Sequence, residues 1–144
     1  LGVSDFEGFV KVIRLFEDVF EMEHFSIPGS DHLQRLLRKN DFFVFAAFLE
    51  NKVVGGLTAY VLQQYYSEKP LAYIYDLAVE AKHQRQGIGK KLVVEFNNYC
   101  REKGFEEVFV QADKIDDYAI DFYRSTAPTQ EEDVVQFNYL LHDK

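Results

Sequence analysis

Residues 73–91 read Tyr73-Ile74-Tyr75-Asp76-Leu77-Ala78-Val79-Glu80-Ala81-Lys82-His83-Gln84-Arg85-Gln86-Gly87-Ile88-Gly89-Lys90-Lys91. An apolar strand passes through a polar turn to two glycines, and a helix begins there. Glycines at a helix mouth let backbone N–H groups approach an anion closely, and the helix N-terminus adds favourable potential for phosphate. Arg85, Lys90 and Lys91 concentrate positive charge at the same place. Taken alone, Gly87-Ile88-Gly89 fits an ordinary strand-to-helix turn equally well. The Gly-Lys-Ser/Thr ending of a P-loop is absent. The glycine pattern also departs from the dinucleotide fingerprint, and the preceding strands read as antiparallel.

Working outward, the helix is predicted from about Gly87 to Lys103, with Ile88, Leu92, Val93, Phe96 and Cys100 inward and Gly104 as its stop. Upstream, Phe42–Leu49 and Val53–Leu62 read as strands around the turn Glu50-Asn51-Lys52, and Ala72–Val79 as the next strand. Gly55-Gly56 inside a strand predicts a bulge or a close approach. Gln63–Pro70 reads as a polar loop studded with aromatics. Ser4-Asp5-Phe6-Glu7 has capping-box form before an amphipathic helix ending near Phe20, and a second short helix carries Leu33, Leu36 and Leu37. Downstream, Val108–Ala112 reads as a strand, Asp116 as the cap of a short helix ending before Pro128, and Val134–Tyr139 as a last strand. A hairpin run followed by a strand–helix–strand crossover predicts one α/β domain over 1–144. Its mixed sheet is mostly antiparallel, with helices on both faces.

The chain has 144 residues, 47% hydrophobic and 28% charged, which suits a soluble globular domain. Its longest apolar run, Phe42–Leu49, is far short of the ~20 residues that cross a bilayer, and no signal-like segment opens it. It begins at Leu1 rather than Met, which leaves open whether a short natural N-terminal segment precedes it. The single Cys100 excludes an internal disulfide, falls on an apolar helix stripe, and makes a reduced, cytoplasmic compartment the default. The four histidines lack metal-ligand spacing, so no metal site is expected. A net charge of −8 and a pI near 5.0 argue against nucleic acid as a partner and favour cationic small molecules.

Residues 72–91 resemble motif A of the GNAT acetyltransferases, Gln/Arg-x-x-Gly-x-Gly/Ala after a strand ending in Val. Gln84, Gly87, Gly89 and Val79 stand at the pattern positions. Asp116, Ala119 and Tyr123 stand where the family has Asn, Ala and a Tyr late in a helix, with Asp replacing Asn. The segments Tyr73–Val79, Arg85–Ile88 and Val110-Gln111-Ala112-Asp113, with Asp116 and Asp117, look like the short aminoglycoside 3-N-acetyltransferases of that superfamily. Arg124-Ser125-Thr126-Ala127-Pro128 departs from the Lys-Leu-Gly usual there.

The resemblance implies acetyl-CoA as donor and transfer to an aminoglycoside amine, at the 3-amino group, by direct attack in a ternary complex. The strands around 72–79 and 108–112 would splay apart, with the pantetheine arm in the gap against Leu77, Ala78 and Val79. The turn Gln84, Arg85, Gln86, Gly87, Ile88, Gly89 and Lys90 would hold the pyrophosphate, with Asp116 and Ala119 nearby. Tyr123 would be general acid to the leaving thiolate, and Asp113, with Asp76 second, the base for the amine. Asp113, Asp116, Asp117, Glu21 and Glu23 would attract the polycationic acceptor. A homodimer is a family-level expectation. Two other readings stay open: acetylation of a polyamine, peptide or protein amine, and a non-catalytic acyl-CoA-binding module.

Overall fold

The computed structural model describes residues 1–2 and 5–142. Four strands, β1 (Phe42–Leu49), β2 (Lys52–Leu62), β3 (Leu71–Val79) and β4 (Glu107–Val110), form one sheet in that order. β1, β2 and β3 pair antiparallel, whereas β3 and β4 pair parallel. Helices α1 (Phe6–Val19) and α2 (Ser30–Arg38) precede the strands, α3 (Ile88–Glu102) joins β3 to β4, and α4 (Asp117–Ser125) follows β4. This is the mixed α/β architecture expected of the sequence. The Ser4 half of the expected capping box lies outside the described residues.

Two cores lie on opposite faces of the sheet, as its alternation requires. On one face Phe9, Val12, Leu15 and Phe16 of α1 and Leu33 and Leu37 of α2 bury Phe42, Val44 and Ala78. On the other, Leu92, Phe96 and Cys100 of α3 bury Leu57, Ala59, Ala72 and Ile74. Cys100 is core filling: it is 1% exposed, and burial pushes its thiol up to about 11.

Gly55 and Gly56 explain how both helices come close to β2. A Cβ on Gly55 would meet Ile88 at 3.2 Å and Leu92 at 3.3 Å, while one on Gly56 would meet Val12 at 2.6 Å. The β1–β2 register shifts beside Ala47, which pairs with Gly55. Both alternatives read from the glycine pair, a bulge and a close approach, are therefore realised.

The strand expected at Val134–Tyr139 does not form in the single chain; the segment is irregular and exposed. Alternating apolar residues give a strand only where an edge supplies backbone hydrogen bonds, and this segment meets none. The expected strand at Val108–Ala112 is shifted, running Glu107–Val110. Among the described residues no helix is long and apolar enough to cross a membrane.

Candidate active site

Parallel pairing between β3 and β4 covers only Leu71–Ile74 against Glu107–Val110. Beyond Ile74 the strands part; Tyr75 falls at a register shift, and Asp76–Val79 pair only with β2. The remaining half of β3 thus has one side without a strand partner. Asp76 lies in this open half, next to a register shift opposite Thr58. It is partly buried, and burial raises its carboxyl above the usual range.

β3 leads into α3 through a single 3-10 turn, Ala81–His83. Glu80 fixes this turn by accepting from Lys52 Nζ at 3.3 Å and pairing with His83 Nδ1 at 2.9 Å. Arg85 and Gly87 both take positive φ, 65° and 85°. Turns of this kind aim successive N–H groups toward an anion. No atom lies within 4 Å of where a Gly87 Cβ would stand, so the mouth of α3 is open. The first helical bond runs from Lys91 N to Gly87 O, 3.0 Å, which leaves the amides of Ile88, Gly89 and Lys90 without intrahelical acceptors. Arg85, Lys90 and Lys91 are exposed around this mouth, and the Ile88 side chain packs inward against the α3-side core.

Gln84 joins the turn to its neighbours. Its Nε2 donates to Val79 O at 2.9 Å, and its Oε1 accepts from Tyr118 Oη at 3.1 Å. The Arg85 guanidinium stands 6.0 Å from the Tyr118 ring centroid. Tyr118 was not among the residues singled out by sequence. The signal for it was its spacing four residues before Phe122, on the same side of α4. Phe122 packs against Gly89, where a Cβ would lie 3.1 Å from its ring.

Tyr123 is mostly enclosed. Burial first, then the negative charges of Asp76 and Asp116, push its phenol up to about 12. The structure therefore brings Asp76, Tyr123 and Asp116 into one electrostatic neighbourhood. Asp116 also caps α4, its Oδ1 accepting from Ala119 N at 3.1 Å. Asp113 Oδ1 accepts from Ile115 N at 3.2 Å. Asp113, Asp116 and Asp117 line one exposed loop leading into α4. Glu21, at φ 52°, and Glu23 are exposed in the α1–α2 connection. Among the described residues, no hydrogen bond or ion pair joins them to the aspartates. Arg124, in the departing segment, makes a two-pronged pair with Glu131 at 2.7 and 3.0 Å.

Known proteins resemble this chain over most of its length. Residues 9–126 match the model of the acetyltransferase (GNAT) family. The aminoglycoside acetyltransferase meta-AAC0020 from an uncultured soil metagenomic sample, crystallised with sisomicin, superposes with a TM-score of 0.97. It is 68% identical, with 99% of this chain and 93% of that chain covered. The aminoglycoside acetyltransferase HMB0005, also from an uncultured soil metagenomic sample, is 32% identical over 99% of this chain and 95% of its own, with a TM-score of 0.90. Human N-acetyltransferase 8 is 29% identical over 96 residues, which is 67% of this chain but only 42% of the human protein. With a family match spanning both the glycine turn and Tyr123, the chain belongs to the GNAT acetyltransferase family.

Proposed function

We propose that this chain transfers the acetyl group of acetyl-CoA to the 3-amino group of an aminoglycoside, by direct attack in a ternary complex. The observation that carries this reading is the 68% identity, over 99% of the chain, to an aminoglycoside acetyltransferase crystallised with sisomicin. The net charge of −8 favours an acceptor with several ammonium groups. The 3-amino position rests on the Gln111-Ala112-Asp113 segment and its surroundings. Acetyl-CoA is the donor used by the family, and its supply sets the reaction in the cytoplasm.

The open Gly87 and the free amides that follow it suit a pyrophosphate, with Gln84 to Lys90 as its cradle. Leu77, Ala78 and Val79 offer backbone groups to an extended pantetheine arm in the gap left by β4. When bound, acetyl-CoA supplies the activated acetyl thioester. Asp76, raised by burial, takes the proton that the acceptor ammonium must lose before it can attack; Asp113 is the second candidate. Tyr123 keeps its proton through the neutral range and gives it to the leaving sulfur. Asp113, Asp116 and Asp117, with Glu21 and Glu23, attract the polycation.

Thiol release from acetyl-CoA across a panel of aminoglycosides, polyamines and peptides tests the reading, with product regiochemistry assigned by NMR. Turnover of sisomicin-like drugs with acetylation at the 3-amino group is expected. Efficient turnover of a polyamine or peptide, with none on any aminoglycoside, would refute the acceptor.

A further inference from the structure

Four aromatic rings run side by side across the sheet, on the face that carries α1. Tyr60 of β2 meets Tyr75 of β3 edge to face, centroids 5.5 Å apart, and Tyr75 meets Tyr73 the same way at 5.9 Å. Tyr73 stacks on Phe109 of β4 at 4.8 Å, and its Oη donates to Gln111 Oε1 at 3.2 Å, which holds the ring in place. At the other end Tyr60 leans on Phe42, which Phe9 of α1 covers. The cover stops there: Tyr60 is 37% exposed and Tyr75 58%. The strand register brings Asp76 to the same face. Tyr60 pairs with Tyr73 and Thr58 with Asp76, so Tyr75 is the extra residue of a bulge. Thr58 and Tyr60 share a face by alternation, and Tyr73 and Asp76 therefore share it too, although residues three apart in an unbroken strand point to opposite sides. Burial first, then the charges of Tyr75 and Asp76, raise the phenols of Tyr60 and Tyr73 above their ordinary value. Among the described residues no ion pair includes Asp76.

We infer, on the acceptor reading above, that Tyr60, Tyr73 and Tyr75 form a platform on which the chair of an aminocyclitol or amino sugar rests, with one amine against Asp76. The face of an aromatic ring is electron-rich. It attracts an ammonium within about 6 Å of its centroid, more strongly where water is excluded, and it suits the weakly positive C–H bonds on the flat side of a sugar chair. Rings on a sheet are also stiff, so ordering them around a ligand costs little entropy. The carboxylate beside the rings decides the ligand's charge. An anion would be repelled by Asp76, and a purely apolar partner would leave that carboxylate buried without a cation. A compact polycation with ring faces satisfies both features. The platform differs in kind from the exposed carboxylates of the loop leading into α4: those attract charge from a distance, whereas the rings read shape. A linear polyamine has the charge but offers no flat side.

Sisomicin is the probe. The chain has 9 Tyr and no Trp, so its ultraviolet difference spectrum reads tyrosine environments without an indole background. Sisomicin should perturb the tyrosine spectrum of the wild type, and Tyr75→Leu should remove much of that change. Tyr75→Leu should also raise KM for sisomicin several-fold to about 30-fold and leave KM for acetyl-CoA unchanged. Tyr75→Phe keeps the ring face and should retain the wild-type KM. Circular dichroism checks folding, and Tyr60→Leu serves where Tyr75→Leu does not fold. Wild-type turnover of sisomicin with an unchanged KM in the leucine variant would overturn the platform alone. So would a Tyr75→Phe variant as impaired as Tyr75→Leu, which would assign the effect to the hydroxyl. A leucine variant altered only in sedimentation would make this face an interface between copies and overturn the platform as well. A wild type that neither binds nor acetylates any aminoglycoside would overturn the acceptor reading, and the platform with it.

Discussion

Gly89 at the mouth of α3 and Phe122 in α4 are in direct contact: a Cβ on Gly89 would stand 3.1 Å from both Cε1 and Cζ of the ring. The glycine therefore sets how closely α4, and Tyr123 with it, approaches the turn. Gly89→Ala should displace α4 at a cost of about 1–3 kcal/mol. Because small misplacements near reacting groups are costly, kcat should fall by roughly tenfold or more. Thermal denaturation and initial-rate thiol release check this, and Gly89→Ala combined with Phe122→Leu should recover part of both losses.

Gly87 differs from Gly89 in having empty space around it and a left-handed backbone. Gly87→Ala should cost about 1 kcal/mol through φ alone and weaken acetyl-CoA only modestly. Gly87→Glu adds a carboxylate beside the free amides of α3 and should abolish measurable binding. Calorimetry on both variants separates backbone strain from lost phosphate affinity; equal affinities in the two would remove the pyrophosphate assignment.

Tyr123→Phe keeps the ring and removes the proposed donor, so kcat should drop about 100-fold with little change in acetyl-CoA affinity. The phenol also has a stability signature. Its folded pKa of about 12 lies above the ordinary 10.0, so the folded state holds the proton more tightly. That contribution is complete below pH 10 and disappears as pH rises through about 12. Wild type should lose stability in this window relative to Tyr123→Phe, which denaturant titrations at stepped alkaline pH will read.

Asp76→Asn and Asp113→Asn distinguish the two candidate bases. The partly buried Asp76 should carry the larger effect, a fall in kcat of about 100-fold, while Asp113→Asn should chiefly raise KM for the polycation. Burial raises the Asp76 pKa, so its favourable contribution is present below the ordinary carboxylate pKa and lost as pH climbs through the raised one. Asp76→Asn should therefore be at least as stable as wild type at neutral pH, with the difference closing in acid.

Ala127, just past the end of α4, adopts φ 58°, a conformation that glycine takes more readily. Ala127→Gly should stabilise the protein by about 0.5–1 kcal/mol without changing kcat. A shift in denaturation midpoint at constant slope would verify it.

The run from Tyr73 to Lys91 was legible in sequence because two local rules agree there: strand alternation ends where a left-handed glycine must begin the helix. Asp116 was legible as a cap for the same local reason. Gln84 was legible only as a motif position, since its bonds to Val79 and Tyr118 join residues 5 and 34 positions away. Tyr118 and Phe122 were missed as site-builders because their partners, Gln84 and Gly89, become neighbours only when α4 folds back onto α3. The final strand was misread for a different reason: alternation records which side chains want burial, not which chain supplies the hydrogen-bonding edge. Likewise, the sequence placed Asp76 on one strand and Asp113 at the end of the next, but their unequal burial, Asp76 partly buried and Asp113 exposed, follows from where β4 ends.

The short seam between β3 and β4 sets stability against activity. Four residues of each strand are zipped, and the next five of β3 are not. Substitutions that extended β4 through Gln111 and Ala112 would add sheet hydrogen bonds and raise the melting temperature. Each added rung would also occupy a stretch of β3 on which the donor arm is proposed to lie. Selection for thermal robustness alone would thus drive the sheet to heal shut. A library of hyperstable variants should be enriched in inactive proteins whose changes cluster after Val110.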